Sequence, residues 1–138
     1  MSEHQQLSRM LLEAFRALDA EVVAALEARG ASDLGPRHAA AMLLVERAGN
    51  RLTDLADRSG ITKQAMMQVV DDLEAMGYVR RSPDPADARA KIVSLTPRGQ
   101  KERAEAAKAV GSVEAKLKRR LGAGRYDALK ATLATLTS

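Results

Sequence analysis

The sequence predicts a mainly α fold with a small β-hairpin wing: a winged helix-turn-helix core with helices flanking it at both ends. Three observations predict it. Two helix-capping threonines, Thr53 and Thr62, stand nine residues apart with Gly60 between them, which demands two helices joined by a tight turn. After Gly77 the apolar period changes from helical to strand-like around a charged segment bearing two prolines. Long apolar stripes at helical spacing lie on either side of this unit.

Taken in order, Leu7, Met10, Leu11, Ala14, Leu18, Val22, Ala25 and Leu26 trace a stripe that ends near Gly30. Gly35-Pro36 starts a second helix through Ala39, Met42, Leu43, Val45 and Ala48, closed by Gly49-Asn50. Thr53 is expected to cap a short helix with Leu55 and Ala56 turned inward. Gly60 ends it in a left-handed conformation, and Ile61 is expected in the core. From Thr62, the residues Ala65, Val69, Leu73 and Met76 build one apolar stripe, widened by Met66 and Val70. Gln64, Met67, Gln68 and Asp71 share the opposite side, with Lys63 in the first turn.

Tyr78–Arg81 and Lys91–Leu95 read as strands. The segment Ser82–Ala90 between them is too long for a two-residue hairpin, which places Arg89 past the tip of a protruding loop. Thr96 caps a further helix with Pro97 in its first position; it is long, highly charged and runs to about Leu121. Gly122 and Gly124 break it, and Tyr126, Leu129, Leu133 and Leu136 continue as an amphipathic terminal helix.

The polar side of the second core helix suits a major groove. Glutamine pairs with adenine, an apolar group touches the thymine methyl, and a helix N-terminus faces a phosphate. The same residues also fit an ordinary solvated helix side. An arginine on a β-loop fits a narrow minor groove, where the negative potential is strongest. Asp87 is placed to pair with Arg89 or with a neighbouring arginine. The competing reading is a solvated loop.

The pattern Leu52-Thr53-x-Leu55-Ala56, Ile61-Thr62-Lys63-Gln64-Ala65, Leu73-x-x-x-Gly77-Tyr78-Val79-x-Arg81 resembles the DNA-binding domain of the MarR family of bacterial transcriptional regulators. Asp84-Pro85-x-Asp87-x-Arg89 and Leu95-Thr96-x-x-Gly99 extend the resemblance through the wing. It implies a homodimer with recognition helices in successive major grooves of a palindromic operator and wings in flanking minor grooves. It also implies a small-molecule effector that relieves binding. Carried over by position, Thr62, Lys63, Gln64, Met67 and Gln68 are the DNA-contacting residues of the recognition helix, and Asp87 and Arg89 belong to the wing motif. Positions 67 and 68, often Thr and Arg in the family, are Met and Gln here. Asp71-Asp72 adds acid to the same helix. Arg81 and Lys91 join Arg89 as wing cations.

The divisions expected are residues 1–34 as an N-terminal dimerisation helix, 35–99 as the winged helix-turn-helix, and 100–138 as C-terminal dimerisation helices, all within one MarR-type domain. Leu7, Leu11, Leu18, Leu129, Leu133 and Leu136 are the dimerisation candidates, because a second copy would cover their stripes about a two-fold axis. The formal charge of +4 is a modest basic balance. With three aromatics, Phe15, Tyr78 and Tyr126, the interior is built mostly from Leu, Val, Ala and Met. The absence of cysteine excludes disulfides, thiolate catalysis and cysteine redox sensing. No signal-peptide pattern or membrane-length apolar run is present, so the cytoplasm is the expected location.

His4 and His38 are far apart, and no metal-ligand spacing, phosphate loop or nucleophile motif occurs. No enzyme activity and no cofactor are expected. His38 is expected as a partly exposed helix-start residue, with a ligand cavity or a phosphate as the alternative. Lys116, Lys118, Arg119 and Arg120 read mainly as solvated charge at a helix C-terminus, with Glu102, Glu105 and Glu114 as pairing partners. The leading function is a dimeric regulator, a repressor that binds double-stranded DNA at an inverted repeat. The alternatives are a winged-helix protein-interaction module and a weakly specific architectural DNA binder.

Overall fold

The computed structural model describes residues 3–29 and 34–137, with backbone alone for 3–5. Gly30, expected near a helix end, and the side chain of His4 lie outside the described residues. The order is α1 (Glu3–Ala28), α2 (Pro36–Leu44), β1 (Asn50–Arg51), α3 (Leu52–Ser59), α4 (Lys63–Ala75), β2 (Val79–Asp84), β3 (Asp87–Leu95), α5 (Pro97–Leu121) and α6 (Ala123–Thr137). The strands form an antiparallel sheet in the order β1-β3-β2. This is the mainly α, winged helix-turn-helix architecture that the periodicity predicts. Two compact units divide the chain, Leu26–Ala107 and Met1–Ala25 with Lys108–Ser138.

The first of these units is built on one buried cluster: Ala41, Met42 and Val45 around α2, Leu55 and Ala56 of α3, Met66, Val69, Val70 and Leu73 of α4, and Tyr78, Val79 and Val93 of the sheet region. Burying each of the larger side chains contributes about 1.5–3 kcal/mol. The apolar stripe of α4 is therefore buried as its spacing predicts, and Ala65 and Met76 at its margins are partly covered. Gly60 ends α3 at φ 67°, and the Thr62 hydroxyl caps α4 by accepting the Ala65 N–H at 3.0 Å, both as expected.

Several expectations give way to tertiary contacts. α2 stops at Leu44 instead of running to Ala48, and Val45 turns into the core. Two side chains satisfy the backbone groups that another turn of helix would have used. Asn50 Oδ1 accepts the Glu46 N–H at 2.6 Å, and Arg103 donates to the Val45 carbonyl. Thr53 is not a cap. Asn50 and Arg51 pair with Val93 and Ile92, so the chain enters α3 directly from a strand with Arg51 in the capping position. Ile61 is 39% exposed, because Thr62 must leave the helical path to cap α4 and carries its neighbour outward.

The wing differs most. β2 and β3 extend to Asp84 and back from Asp87, so Pro85-Ala86 is a two-residue turn. The register pairs Pro83 with Lys91 but Asp84 with Asp87, which leaves residues 88–90 bulged out of β3. β2 is an edge strand, which is why Pro83 is tolerated within it. Arg89 thus stands in a bulge rather than past the tip of a free loop.

The Leu95-Thr96-x-x-Gly99 run closes the wing onto the start of α5. Thr96 Oγ1 donates to the Gly77 carbonyl at 2.6 Å and accepts the Gly99 N–H at 3.0 Å, while Thr96 N–H donates to the Tyr78 carbonyl. Arg98 stacks over the Tyr78 ring at 4.6 Å.

In the second unit, Val113 and Tyr126 are buried, Lys118 and Lys130 flank the Tyr126 ring, and Lys116 Nζ is 4.0 Å from Glu21. Gly122 alone interrupts the helix, and α6 resumes at Ala123 with Gly124 inside it. α6 is not amphipathic as expected: small and apolar residues such as Ala128, Ala131 and Ala134 surround its leucines. Leu7, Leu11, Leu129, Leu133 and Leu136 are exposed, together with Met10, Leu12 and Phe15, whereas Leu18 is half-buried. No helix among the described residues is long and apolar enough to cross a membrane.

A Cβ on Gly99 would lie 1.9 Å from the Tyr78 carbonyl oxygen, a backbone atom that cannot swing away. Gly99→Ala is expected to destabilise the protein by about 1–3 kcal/mol, read as a lower urea midpoint at an unchanged slope.

Candidate nucleic-acid interface

Because α4 buries Met66, Val69, Val70 and Leu73, its roll about its own axis is fixed, and Lys63, Gln64, Met67, Gln68 and Asp71 must face outward. All are exposed, including Met67 at 42%, a large apolar side chain left in solvent. Beside this face the sheet forms the wall of an open groove of about 470 Å³. Lys63, Met67 and Asp71 line its α4 side, and Arg81, Asp87, Arg89 and Lys91 its wing side, with Arg51, Leu52 and Thr53 between. Six of the nine DNA-binding candidates therefore meet in one place. Thr62, Gln64 and Gln68 do not line it, although they lie on α4 or at its cap.

The acidic residues of α4 are neutralised locally. Arg81 Nη2 is 2.5 Å from Asp71 and its Nη1 3.1 Å from Glu74, whose carboxylate also accepts the Arg81 N–H at 3.2 Å. Asp72 accepts from His38 Nε2 at 2.9 Å and from Gln68 Nε2 at 3.1 Å. The His38 bond, then the Gln68 bond, hold its carboxyl below the usual range against the effect of burial. Among the described residues, Lys63, Lys91 and the Arg89 guanidinium carry no ion pair. The net field of the groove is therefore cationic.

Asp84 holds the wing. It is buried, and both of its oxygens are used. One accepts the Ala86 N–H at 2.9 Å and so shapes the turn; the other takes Arg51 Nε at 2.7 Å and Nη2 at 2.6 Å. The Ala86 bond and then the Arg51 bond keep its carboxyl below the usual range. Asp87 accepts the backbone N–H of Arg89 at 2.9 Å, an Asx turn that sets the bulge and leaves the guanidinium unengaged. The arginine partner is thus found at Asp84, while Asp87 acts on the backbone.

Sequence reasoning assigned no role to Arg51, Asp84 or Asp72 and left His38 a choice of roles. Asp84 stood within the wing motif, and its position ahead of Pro85 was the available signal. Arg51 and the His38–Asp72 contact bring together residues 33 and 34 positions apart, which no local pattern encodes. In the second unit, Lys116 reaches toward Glu21 rather than toward the glutamates of its own helix. No cluster of metal-ligating side chains occurs among the described residues.

A MarR family model matches residues 32–90. No curated protein sequence matches the chain significantly. Solved structures do. The fold is similar to that of a MarR-family transcriptional regulator from Rhodococcus sp. RHA1, with TM-score 0.83 and 21% identity over 99% of this chain and 95% of that one. It is similar to a transcriptional repressor, CouR, bound to a 23-mer DNA duplex, with TM-score 0.78 and 27% identity over 100% and 99% of the two chains. A mutant MarR from E. coli complexed with operator DNA matches with TM-score 0.78 and 21% identity, covering 96% of this chain and 94% of that one.

Depressed folded-state pKa values at Asp84 and Asp72 make their stabilisation complete above the unfolded value of 3.8 and cause it to vanish as pH falls through the lower folded values. Chemical unfolding across a pH series from about 2 to 5 is expected to show stability falling on the acid side. Asp84→Asn is expected to be less stable at neutral pH and to show a shallower acid loss. Equal acid slopes in the two proteins would separate Asp84 from the stability of the wing.

Proposed function

This chain carries the winged helix of the MarR family, and on that premise we propose that it is a homodimeric regulator that binds an inverted-repeat operator and represses transcription until a small-molecule effector releases it. DNA-binding transcriptional regulation is the activity that the family match and the fold support. The observation that carries the finer reading is the groove. Lys63, Arg89 and Lys91 stand without ion pairs beside a helix face that presents amides and a thioether.

A cationic wing of this kind suits a polyanion, whereas a protein-interaction module would present an apolar wing face. In this reading Lys63 and Lys91 meet phosphates, and the Thr62 hydroxyl, already accepting the Ala65 N–H, donates its hydrogen to another. Gln64 and Gln68 read base edges, Met67 touches a thymine methyl, and Arg89 enters the minor groove. Arg81 and Asp87 act by position: one holds the acidic side of α4, the other the bulge that carries Arg89.

Residues 35–99 are the DNA-binding part, and 1–34 and 100–138 supply dimerisation. The exposed Leu7, Leu11, Leu129, Leu133 and Leu136 support the homodimer, because large apolar side chains left in water are covered by a second copy. Effector release rests on the family resemblance. The protein works in the cytoplasm, by binding rather than by catalysis.

Arg89→Ala is expected to weaken operator binding by about 1–3 kcal/mol, measured by titration of labelled duplex. Unchanged affinity would remove the wing from the mechanism. Deleting the exposed part of α1 is expected to give monomers or insoluble protein on sedimentation, and a soluble, fully active monomer would contradict the dimer.

A further inference from the structure

His38, the third residue of α2, is joined to the outer face of α4 by a chain of two hydrogen bonds. Its Nε2 lies 2.9 Å from Asp72 Oδ2, and the other carboxylate oxygen, Oδ1, takes Gln68 Nε2 at 3.1 Å. Gln68 and Asp72 stand one helical turn apart, so the second bond runs along the surface of α4, whereas the first crosses from a different helix. An ionised carboxylate only accepts. Both neighbours must therefore be donors: the imidazole carries its hydrogen on Nε2, and the Gln68 amide turns its nitrogen toward Asp72. The amide oxygen, Oε1, takes no part in this bond. His38 Nδ1 is buried with no partner among the described residues, so Asp72 is the one polar anchor of the ring.

An unrestrained glutamine on a recognition helix turns either end of its amide toward a base and matches donors and acceptors alike. This one is held. We propose that His38 is a positioning residue for base recognition: through Asp72 it fixes Gln68 with its oxygen outward, so that the base opposite Gln68 is one that offers an exocyclic amino group. Adenine fits best, since it gives N6–H to the oxygen and presents N7 to the remaining amide hydrogen; cytosine, with N4–H alone, comes second. Guanine and thymine place O6 or O4 against Oε1, two acceptors facing each other. This inference rests on the reading that α4 enters a major groove. It adds a residue on α2, outside the groove lining, to the set that decides sequence preference.

The test uses the full-length protein and the operator recovered from random duplex DNA. Gln68→Ala first locates the base pair that Gln68 reads, as the position whose preference it flattens. At that position wild type is expected to favour adenine over guanine or thymine by roughly two- to tenfold. His38→Ala is expected to flatten the same position as far as Gln68→Ala does, with other positions and affinity for random duplex unchanged. The double variant is expected to lose no more than either single one. His38→Gln, whose amide N–H reaches toward Asp72, is expected to restore the preference. If His38→Ala keeps the wild-type preference while Gln68→Ala flattens it, the positioning role fails and the groove reading stands. If His38→Ala weakens all positions equally, or if His38→Gln does not restore the preference, the role is structural only and the proposal is overturned. If Gln68→Ala flattens no position, the groove reading itself fails and takes this inference with it.

Discussion

Burial of Met66, Val69, Val70 and Leu73 against α2, α3 and the sheet is the constraint on which the rest of the molecule depends. A helix of 13 residues has little independent stability, so packing rather than propensity decides that α4 forms and which way it faces. Once those four side chains are inside, the outward set follows without further choice. The sheet is fixed by the same cluster through Val79 and Val93, so helix face and wing are held in one rigid relation. A site for a long, regular polymer needs that relation more than it needs any single contact, because two elements separated in sequence must meet the polymer in register.

Charge is distributed in keeping with this. α4 carries Asp71, Asp72 and Glu74, an acidic cluster that would repel a polyanion. Each is answered by a group from another element or from the next turn: Arg81 for Asp71 and Glu74, and His38 with Gln68 for Asp72. Arg51 and Asp84 tie the wing tip to the strand that leads into α3. These pairs are partly exposed, and their separate contributions to stability are modest. Their larger effect is directional: they hold the acidic side chains and the bulge in place, which leaves Lys63, Arg89 and Lys91 as cations of the groove without ion pairs.

What was legible in the sequence was what local chemistry writes. The caps and breaks at Gly60, Thr62, Thr96 and Gly122, and the apolar stripe of α4, depend on neighbours within four residues, and the structure follows them. The misreadings occurred where distant residues intervened. α2 ends early because Asn50 and Arg103 satisfy its backbone, and α3 starts early because Asn50 and Arg51 are drawn into the sheet. The wing turn is tight because Asp84 folds it and Arg51 anchors it, while three residues of β3 bulge out to absorb the surplus length. At the candidate site the exposed face of α4 was readable from its period. The His38–Asp72–Gln68 chain was not, since its first bond spans two helices.

Whether this surface reads the sequence of double-stranded DNA is decided by selecting bound sequences from random duplexes and titrating the winner at two salt concentrations. An enriched inverted repeat is expected, its half-sites about one helical turn apart, held well above random DNA at both salts. Recovery of no motif, with weak binding that disappears as salt rises, would reduce the interaction to phosphate attraction and contradict it.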